Sequence, residues 1–234
     1  MRRRDFLFGG AATLLAGCNV QAPHEGFFGK MESLNEGMER ALFRRGSTGA
    51  ATRVSDLTPK EAFPIYKLGA ALPGVPAGWG LEVSGMVQHP VRLSLAELRR
   101  LPRTDMRVRH HCVEGWSAVA SWHGVRLSEV AKAVGLDPRA PYVDFVSFEP
   151  VPDSEEDETY TSGWDRESAL HPQTLLAYGM NGEPLGAEHG GPVRLYASTK
   201  LGYKMVKWLS AVRFVPQKTG GYWEDQGYGW FGGV

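Results

Sequence analysis

Arg109-His110-His111-Cys112-Val113-Glu114-Gly115-Trp116-Ser117 holds one of only two cysteines in a chain of 234 residues. Residues 106–110 just before it have the composition of a strand, so Cys112 falls where a strand gives way to a glycine-containing loop. Rigid scaffolds present ligands and nucleophiles at such places. A thiolate is a soft ligand for a sulfur-loving metal. Two histidines beside one cysteine also bring copper and zinc sites into view. Neighbouring strand residues point to opposite faces, however, so His110 and His111 do not readily share one metal. A cysteine–histidine hydrolase and a buried, inert thiol are the remaining possibilities. The residues alone leave all three open.

The charge balance narrows the partners. Lys plus Arg and Asp plus Glu are equal at 26 each, which gives no electrostatic case for nucleic acid. Hydrophobic and charged fractions of 42% and 22% are those of a soluble globular protein. The length suits a single domain with a short leader.

Residues 1–18 read as that leader. Arg3-Arg4-Asp5-Phe6-Leu7 resembles the twin-arginine export signal, and Leu15-Ala16-Gly17-Cys18 resembles a bacterial lipobox. The product they imply is periplasmic or otherwise extracytoplasmic, and anchored to a membrane through lipid on Cys18; an uncleaved N-terminal anchor is the alternative. With Cys18 lipidated, Cys112 is the single thiol of an exported protein and has no partner for an internal disulfide. Exported proteins seldom keep one unpaired thiol in an oxidising compartment, so Cys112 calls for a reason. There is no Cys-x-x-Cys-His and hence no attached c-type haem.

Residues 19–56 are expected to form a tether and a surface helix. Met31, Leu34, Met38 and Leu42 recur near helical spacing, and residues 46–51 end the helix. The domain proper, 57–234, is β-rich. Residues 81–87 alternate like a strand. Ser94 and Glu97 form a capping box for a short helix that Pro102 stops. Ser128 is the expected cap of a helix over 129–134, closed by Gly135. Strands are expected at 142–148, 193–197 and 211–215, an acidic solvated loop at 153–157, and a hairpin about Asn181-Gly182. The glycine- and aromatic-rich tail, 220–234, is expected to pack down. The fold class is α+β, strand-dominated, with a single domain.

Three ordered blocks carry a resemblance. Cys112-Val113-Glu114-Gly115-Trp116-Ser117, followed by Trp122, Gly124, Val125 and Leu127, resembles the molybdenum-binding segment of the sulfite oxidase superfamily. The bacterial branch that includes the periplasmic methionine-sulfoxide reductase catalytic subunit is the most similar. Residues 175–185, then His189-Gly190-Gly191-Pro192-Val193-Arg194, Gly202-Tyr203-Lys204 and Val206-Lys207-Trp208-Leu209, resemble the same family's pterin-binding half. Residues 220–231 resemble the C-terminal end of that branch, and the likeness spans about 57–231.

The resemblance implies a sulfite-oxidase-type molybdopterin-binding oxidoreductase with one molybdenum and one pyranopterin. Cys112 would be the protein's ligand to the metal. His189 and Arg194 would contact the pterin and its phosphate, with Met205, Val206 and Lys207 forming the phosphate grip. A phosphate dianion suits a guanidinium fork, an ammonium and backbone N–H groups. Ser147 would be a small cofactor contact, and Tyr228 a phenol near the metal able to donate a hydrogen bond. Glu114 would orient the cysteine loop by accepting backbone hydrogen bonds, and Trp116 and Trp122 would form pocket wall or core.

The sequence also departs from the family. Residues 63–67 lack the arginine that helps sulfite oxidases hold their anionic substrate, and Trp116 and Ser117 stand where those enzymes place further arginines. The expected chemistry is therefore two-electron oxo transfer on a small S- or N-oxide, with sulfite in doubt. No room remains for a dimerising β-sandwich or a haem domain, which implies a monomer served by a separate redox partner such as a membrane cytochrome. The rival is a cofactor-free exported lipoprotein that reuses the fold for binding.

Overall fold

The computed structural model describes residues 26–43, 52–154 and 158–234. The leader motifs, Cys18, the 46–51 stretch and most of the acidic run lie outside them. Two sheets dominate, as the α+β, strand-rich expectation requires. The first comprises β1 (Leu81–Gly85), β2 (Val91–Leu93), β5 (Tyr142–Pro150), β6 (Thr159–Asp165) and β10 (Leu209–Val215), ordered β2-β1-β10-β5-β6. Only β1 and β10 run parallel. The second comprises β3 (Arg103–His111), β4 (Ser117–Arg126), β7 (Thr174–Met180) and β8 (Glu183–Pro184), with β9 (Arg194–Ala197) also paired to β7.

β7 explains how the sheets share their cores. All seven of its residues are buried. Leu176 and Tyr178 join Val83, Phe145 and Val212 in a cluster between the sheets. Leu175, Ala177 and Met180 face the other way, with Met106, Val108 and Trp122. A strand buried on both faces reads as a continuous apolar run, as this one does. The second cluster carries the cleft described below.

The Ser94 capping box is present: Ser94 Oγ accepts from the Glu97 N–H, and the Glu97 carboxylate accepts from the Ser94 N–H. Its helix α2 (Leu95–Leu98) is shorter than expected. Helix α3 (Leu127–Ala133) begins before Ser128, with Arg126 in the cap position and no side-chain cap bond, because β4 runs directly into it. Helix α4 (Arg166–Ala169) follows β6 and is capped by Asp165. Helix α1 (Gly26–Leu42) lies on the domain surface.

β4 and β6 carry no clear sequence signal. β4 mixes Ser, His and Gly into a strand covered on both faces, which removes the alternation that marks a half-exposed strand. Gly124 is its tightest point. The β4–β7 register shifts there, and a Cβ on Gly124 would lie 2.2 Å from the Leu176 carbonyl oxygen. Gly124→Ala should therefore lower stability by about 2 kcal/mol through overpacking. A shift in the urea midpoint at unchanged slope would show it, and an unmoved midpoint would mean that β7 yields freely.

The tail packs down as expected. Trp230 and Phe231 are buried, Leu201 N–H donates to the Gly232 carbonyl at 2.9 Å, and Trp230 Nε1 donates to the Thr219 carbonyl at 2.6 Å.

Candidate active site

β3 and β4 pair in register from Arg103↔Val125 to His111↔Ser117, leaving Cys112 at the start of a tight loop. Cys112 N–H donates to the Trp116 carbonyl at 3.0 Å, and Gly115 N–H to the Cys112 carbonyl at 3.1 Å. Gly115 has φ 88°, the left-handed conformation that glycine adopts without cost. The loop thus fixes the thiol by backbone geometry. Glu114 accepts the Trp116 indole N–H at 3.0 Å, rather than the backbone bonds expected of it, and stands 3.8 Å from Cys112 Sγ. Burial raises the Cys112 thiol above its ordinary range.

Cys112 opens into a cleft of about 940 Å³ including its mouth. His189, Arg194, Met205, Lys207 and Tyr228 line the same cleft, so six of the expected residues converge. Two do not. Val206 packs its side chain in the inter-sheet core, its carbonyl accepting from Leu195 N–H at 2.7 Å. Ser147 is buried behind the wall, where its hydroxyl donates to the Lys207 carbonyl at 2.7 Å and accepts from the Glu149 N–H at 2.8 Å. It positions the strand end that carries Lys207.

The glycines of the second block make room for this floor. Gly190 is left-handed, φ 97°, and a Cβ there would meet the Lys207 side chain at 2.7 Å. A Cβ on Gly202 would lie 2.9 Å from His110 Nε2. Arg194 is fully buried, donates to the His189 carbonyl at 3.0 Å and stands 5.0 Å over the Trp122 ring. The Lys207 ammonium lies 4.2 Å from the Trp208 ring. Neither cation forms an ion pair among the described residues. Burial lowers Arg194 to about 10, and burial with the Arg194 charge lowers Lys207 to about 7, Glu149 opposing.

Arg194 is a buried cation without an ion-pair partner among the described residues, which is costly unless an anion arrives, and the half-buried Lys207 is offset only in part by Glu149. Both cations fit the phosphate of the expected pterin, and the Cys112 thiol in the same cleft fits its metal. No group of three His, Cys, Asp or Glu side chains that could hold a metal exists among the described residues. His110, on the inward parity of β3, lines the cleft with no hydrogen-bond partner on Nδ1 among the described residues. Burial, then Arg194, brings it to about 3, so it stays neutral at physiological pH.

A dianion should report the Lys207 charge. Sulfate is dianionic from pH 6 to 8, whereas Lys207 is cationic only below about 7. The metal-free protein should bind sulfate roughly fivefold more tightly at pH 6 than at pH 8, and Lys207→Met should flatten the difference. Calorimetric titration at the two pH values decides it.

Glu149, Tyr66 and Tyr160 also line the cleft with no signal in the sequence that marks them for it, as does Tyr203, which the sequence placed in the pterin-binding block without a role. Glu149 is 5% exposed and accepts the Leu68 N–H at 2.7 Å. The mouth is aromatic: Trp223 packs against Tyr228 at 4.8 Å and Tyr66 at 6.1 Å, and Trp116 against His110 at 5.4 Å.

A family model described as "Oxidoreductase molybdopterin binding domain" matches residues 70–223. A putative protein-methionine-sulfoxide reductase subunit YedZ1 from Azospira oryzae is 45% identical over 157 residues, covering 67% of this chain and 56% of that one. The protein-methionine-sulfoxide reductase catalytic subunit MsrP of Xanthomonas campestris is 35% identical over 199 residues, covering 78% and 62%. The chain thus spans little more than half the length of these relatives. The crystal structure of the sulfane dehydrogenase SoxCD from Paracoccus pantotrophus shares the fold, with TM-score 0.60 over 75% of this chain and 46% of that one at 19% identity.

Proposed function

Because the chain belongs to the oxidoreductase molybdopterin-binding domain family, within the sulfite oxidase superfamily, and is an enzyme of that class, we propose that it reduces a small, neutral sulfoxide outside the cytoplasm. The observation that carries this is the placing of Cys112 in one cleft with the buried Arg194 and the half-buried Lys207, under an aromatic mouth edged by the Glu114 carboxylate rather than by a cation. Relatives named as protein-methionine-sulfoxide reductases support the same direction.

Cys112 would hold one molybdenum, and His189, Arg194, Met205 and Lys207 one pyranopterin; bound there, the metal would supply two-electron oxo-transfer chemistry. The protein's own part is position and polarity. Arg194 and Lys207 lie at the floor, where they neutralise a phosphate, and Trp116, Trp223 and Tyr66 wall the mouth. A neutral sulfoxide suits such a mouth better than a sulfite dianion, which wants a cation beside it. Tyr228 provides a neutral hydroxyl donor for the substrate oxygen. The sulfoxide takes up two electrons and two protons and leaves as thioether and water. Electrons come from a separate redox partner such as a membrane cytochrome, and the enzyme works as a monomer, exported by the twin-arginine route and anchored by lipid on Cys18.

The test is metal and pterin content of protein from an export-competent host, by elemental mass spectrometry and oxidised-pterin fluorescence, followed by assays in both directions. About one molybdenum per chain and sulfoxide-dependent oxidation of a reduced viologen dye are expected. Sulfite oxidation without sulfoxide reduction would reverse the assignment. Absence of molybdenum, from a host that loads a control molybdoenzyme, would put the cofactor-free binding protein in its place.

A further inference from the structure

Helix α1 docks on the domain through its polar side. Glu36 accepts from Lys218 at 2.8 Å and from Arg40 at 2.8 Å, and the Arg40 guanidinium stands 5.2 Å over Trp230. From Gly29 on, its large apolar side chains point the other way: Met31, Leu34, Met38 and Leu42 are 49%, 57%, 54% and 78% exposed. At 3.6 residues per turn these four fall within an arc of about 80° and form a stripe roughly 16 Å long. Soluble proteins seldom leave a contiguous apolar stripe in water unless something covers it.

We infer that this stripe lies on a phospholipid bilayer, making α1 a membrane-surface helix that works together with the anchor at Cys18. The chain itself supplies the argument. Seven residues separate Cys18 from Gly26, so even fully extended they reach about 28 Å. Lipid on Cys18 would hold α1, itself about 25 Å long, within roughly its own length of the bilayer. A covalent lipid and an amphipathic helix are the two signals that stable anchoring needs. Among helix residues Lys30 and Arg40 oppose Glu32, Glu36 and Glu39, so the attraction is apolar and indifferent to salt. No helix among the described residues is long and apolar enough to cross a membrane, which makes the stripe a surface contact. The same helix rests on Trp230 of the tail, whose Trp223 and Tyr228 line the cleft. A bilayer-bound α1 would thus set how the cleft faces the membrane.

The inference rests on the lipobox reading for the presence of a bilayer, and the test separates the two. Every described element lies after residue 25, so a chain beginning at Asn19, made without leader or lipid, keeps the described fold. Its flotation with phosphatidylethanolamine–phosphatidylglycerol vesicles is measured at low and high salt. Vesicle binding is expected at both. Gln at 31, 34, 38 and 42 together should weaken it about a hundredfold, with sulfoxide turnover in solution unchanged. Met31→Leu with Met38→Leu should retain binding, which guards against a helix that has merely melted. Equal flotation of the Asn19 chain and the fourfold Gln variant would overturn the inference. So would a dimer in solution that the Gln variant abolishes without vesicle binding, since the stripe would then belong to a second copy. The intact mass of the exported full chain reads the anchor separately: an unmodified Cys18 with flotation preserved would remove the lipoprotein reading and leave α1 at the bilayer.

Discussion

Cys112→Ser should lower sulfoxide turnover by about a thousandfold or more while leaving the fold intact. Serine is nearly isosteric, but its hydroxyl is a hard, weakly acidic group that cannot replace a thiolate on a soft metal. Nothing in the fold depends on the sulfur. The loop is held by its own backbone bonds, and the thiol's contacts are with that same loop: the Glu114 carboxylate at 3.8 Å and the backbone of Val113 and Glu114. The stability change should therefore stay within about 0.5 kcal/mol. Turnover per chain, metal content and the urea midpoint are measured together. Full turnover in the serine variant would defeat the assignment of Cys112, and lost turnover with an early midpoint would mean only that the loop had collapsed.

Glu224→Ala should be the most destabilising single truncation outside the apolar core. Lys204 is fully buried, and its ammonium is held by the Glu224 carboxylate and, at 2.9 Å, by the Gly163 carbonyl. Glu224 also accepts from Ser162 Oγ at 2.7 Å. Removing one partner of a buried pair strands the other charge, at about 3–5 kcal/mol. For a chain of this size that is a fall of roughly 10 °C in Tm. Burial already depresses Lys204 below the usual lysine range, so the variant should recover part of its loss as pH rises and Lys204 sheds its proton. Replacing both partners by Lys204→Met with Glu224→Leu should restore most of the stability, because it is the unpaired charge that costs. The pair also ties the tail to β6, and the tail brings Trp223 and Tyr228 to the cleft. A rise in KM larger than the fall in kcat should accompany the destabilisation. A Tm within 2 °C of the parent would show the pair to be dispensable.

The neutral His110 and the partly deprotonated Lys207 owe their states to the same cause. Each loses solvation on entering the cleft wall, His110 more fully than the half-buried Lys207, and Arg194 adds positive charge beside both. β3 presents His110 inward and His111 outward, as period-two geometry requires. The two histidines beside Cys112 thus play different parts, and no shared metal site forms from them.

The sequence by itself determined the thiol and its loop and the fold class, and its resemblance to a family pointed to the residues of the cleft floor. The first two are local matters: a glycine after Cys112 for the turn, alternation in β1, and an Asn181-Gly182 hairpin. β4 and β6 stayed hidden, because strands buried on both faces lose alternation. Only the tertiary structure placed Ser147 and Val206 behind the wall, since facing a cavity depends on which sheet lies opposite. It alone brought Glu149 and Tyr66 into the cleft from segments about eighty residues apart, joined through the Leu68 N–H. It alone turned the apolar side of α1 outward. Periodicity marks where an amphipathic stripe lies along a helix, but what that stripe meets is decided by the surface on which the helix docks, and here that surface offered Lys218 and Trp230 to its polar side.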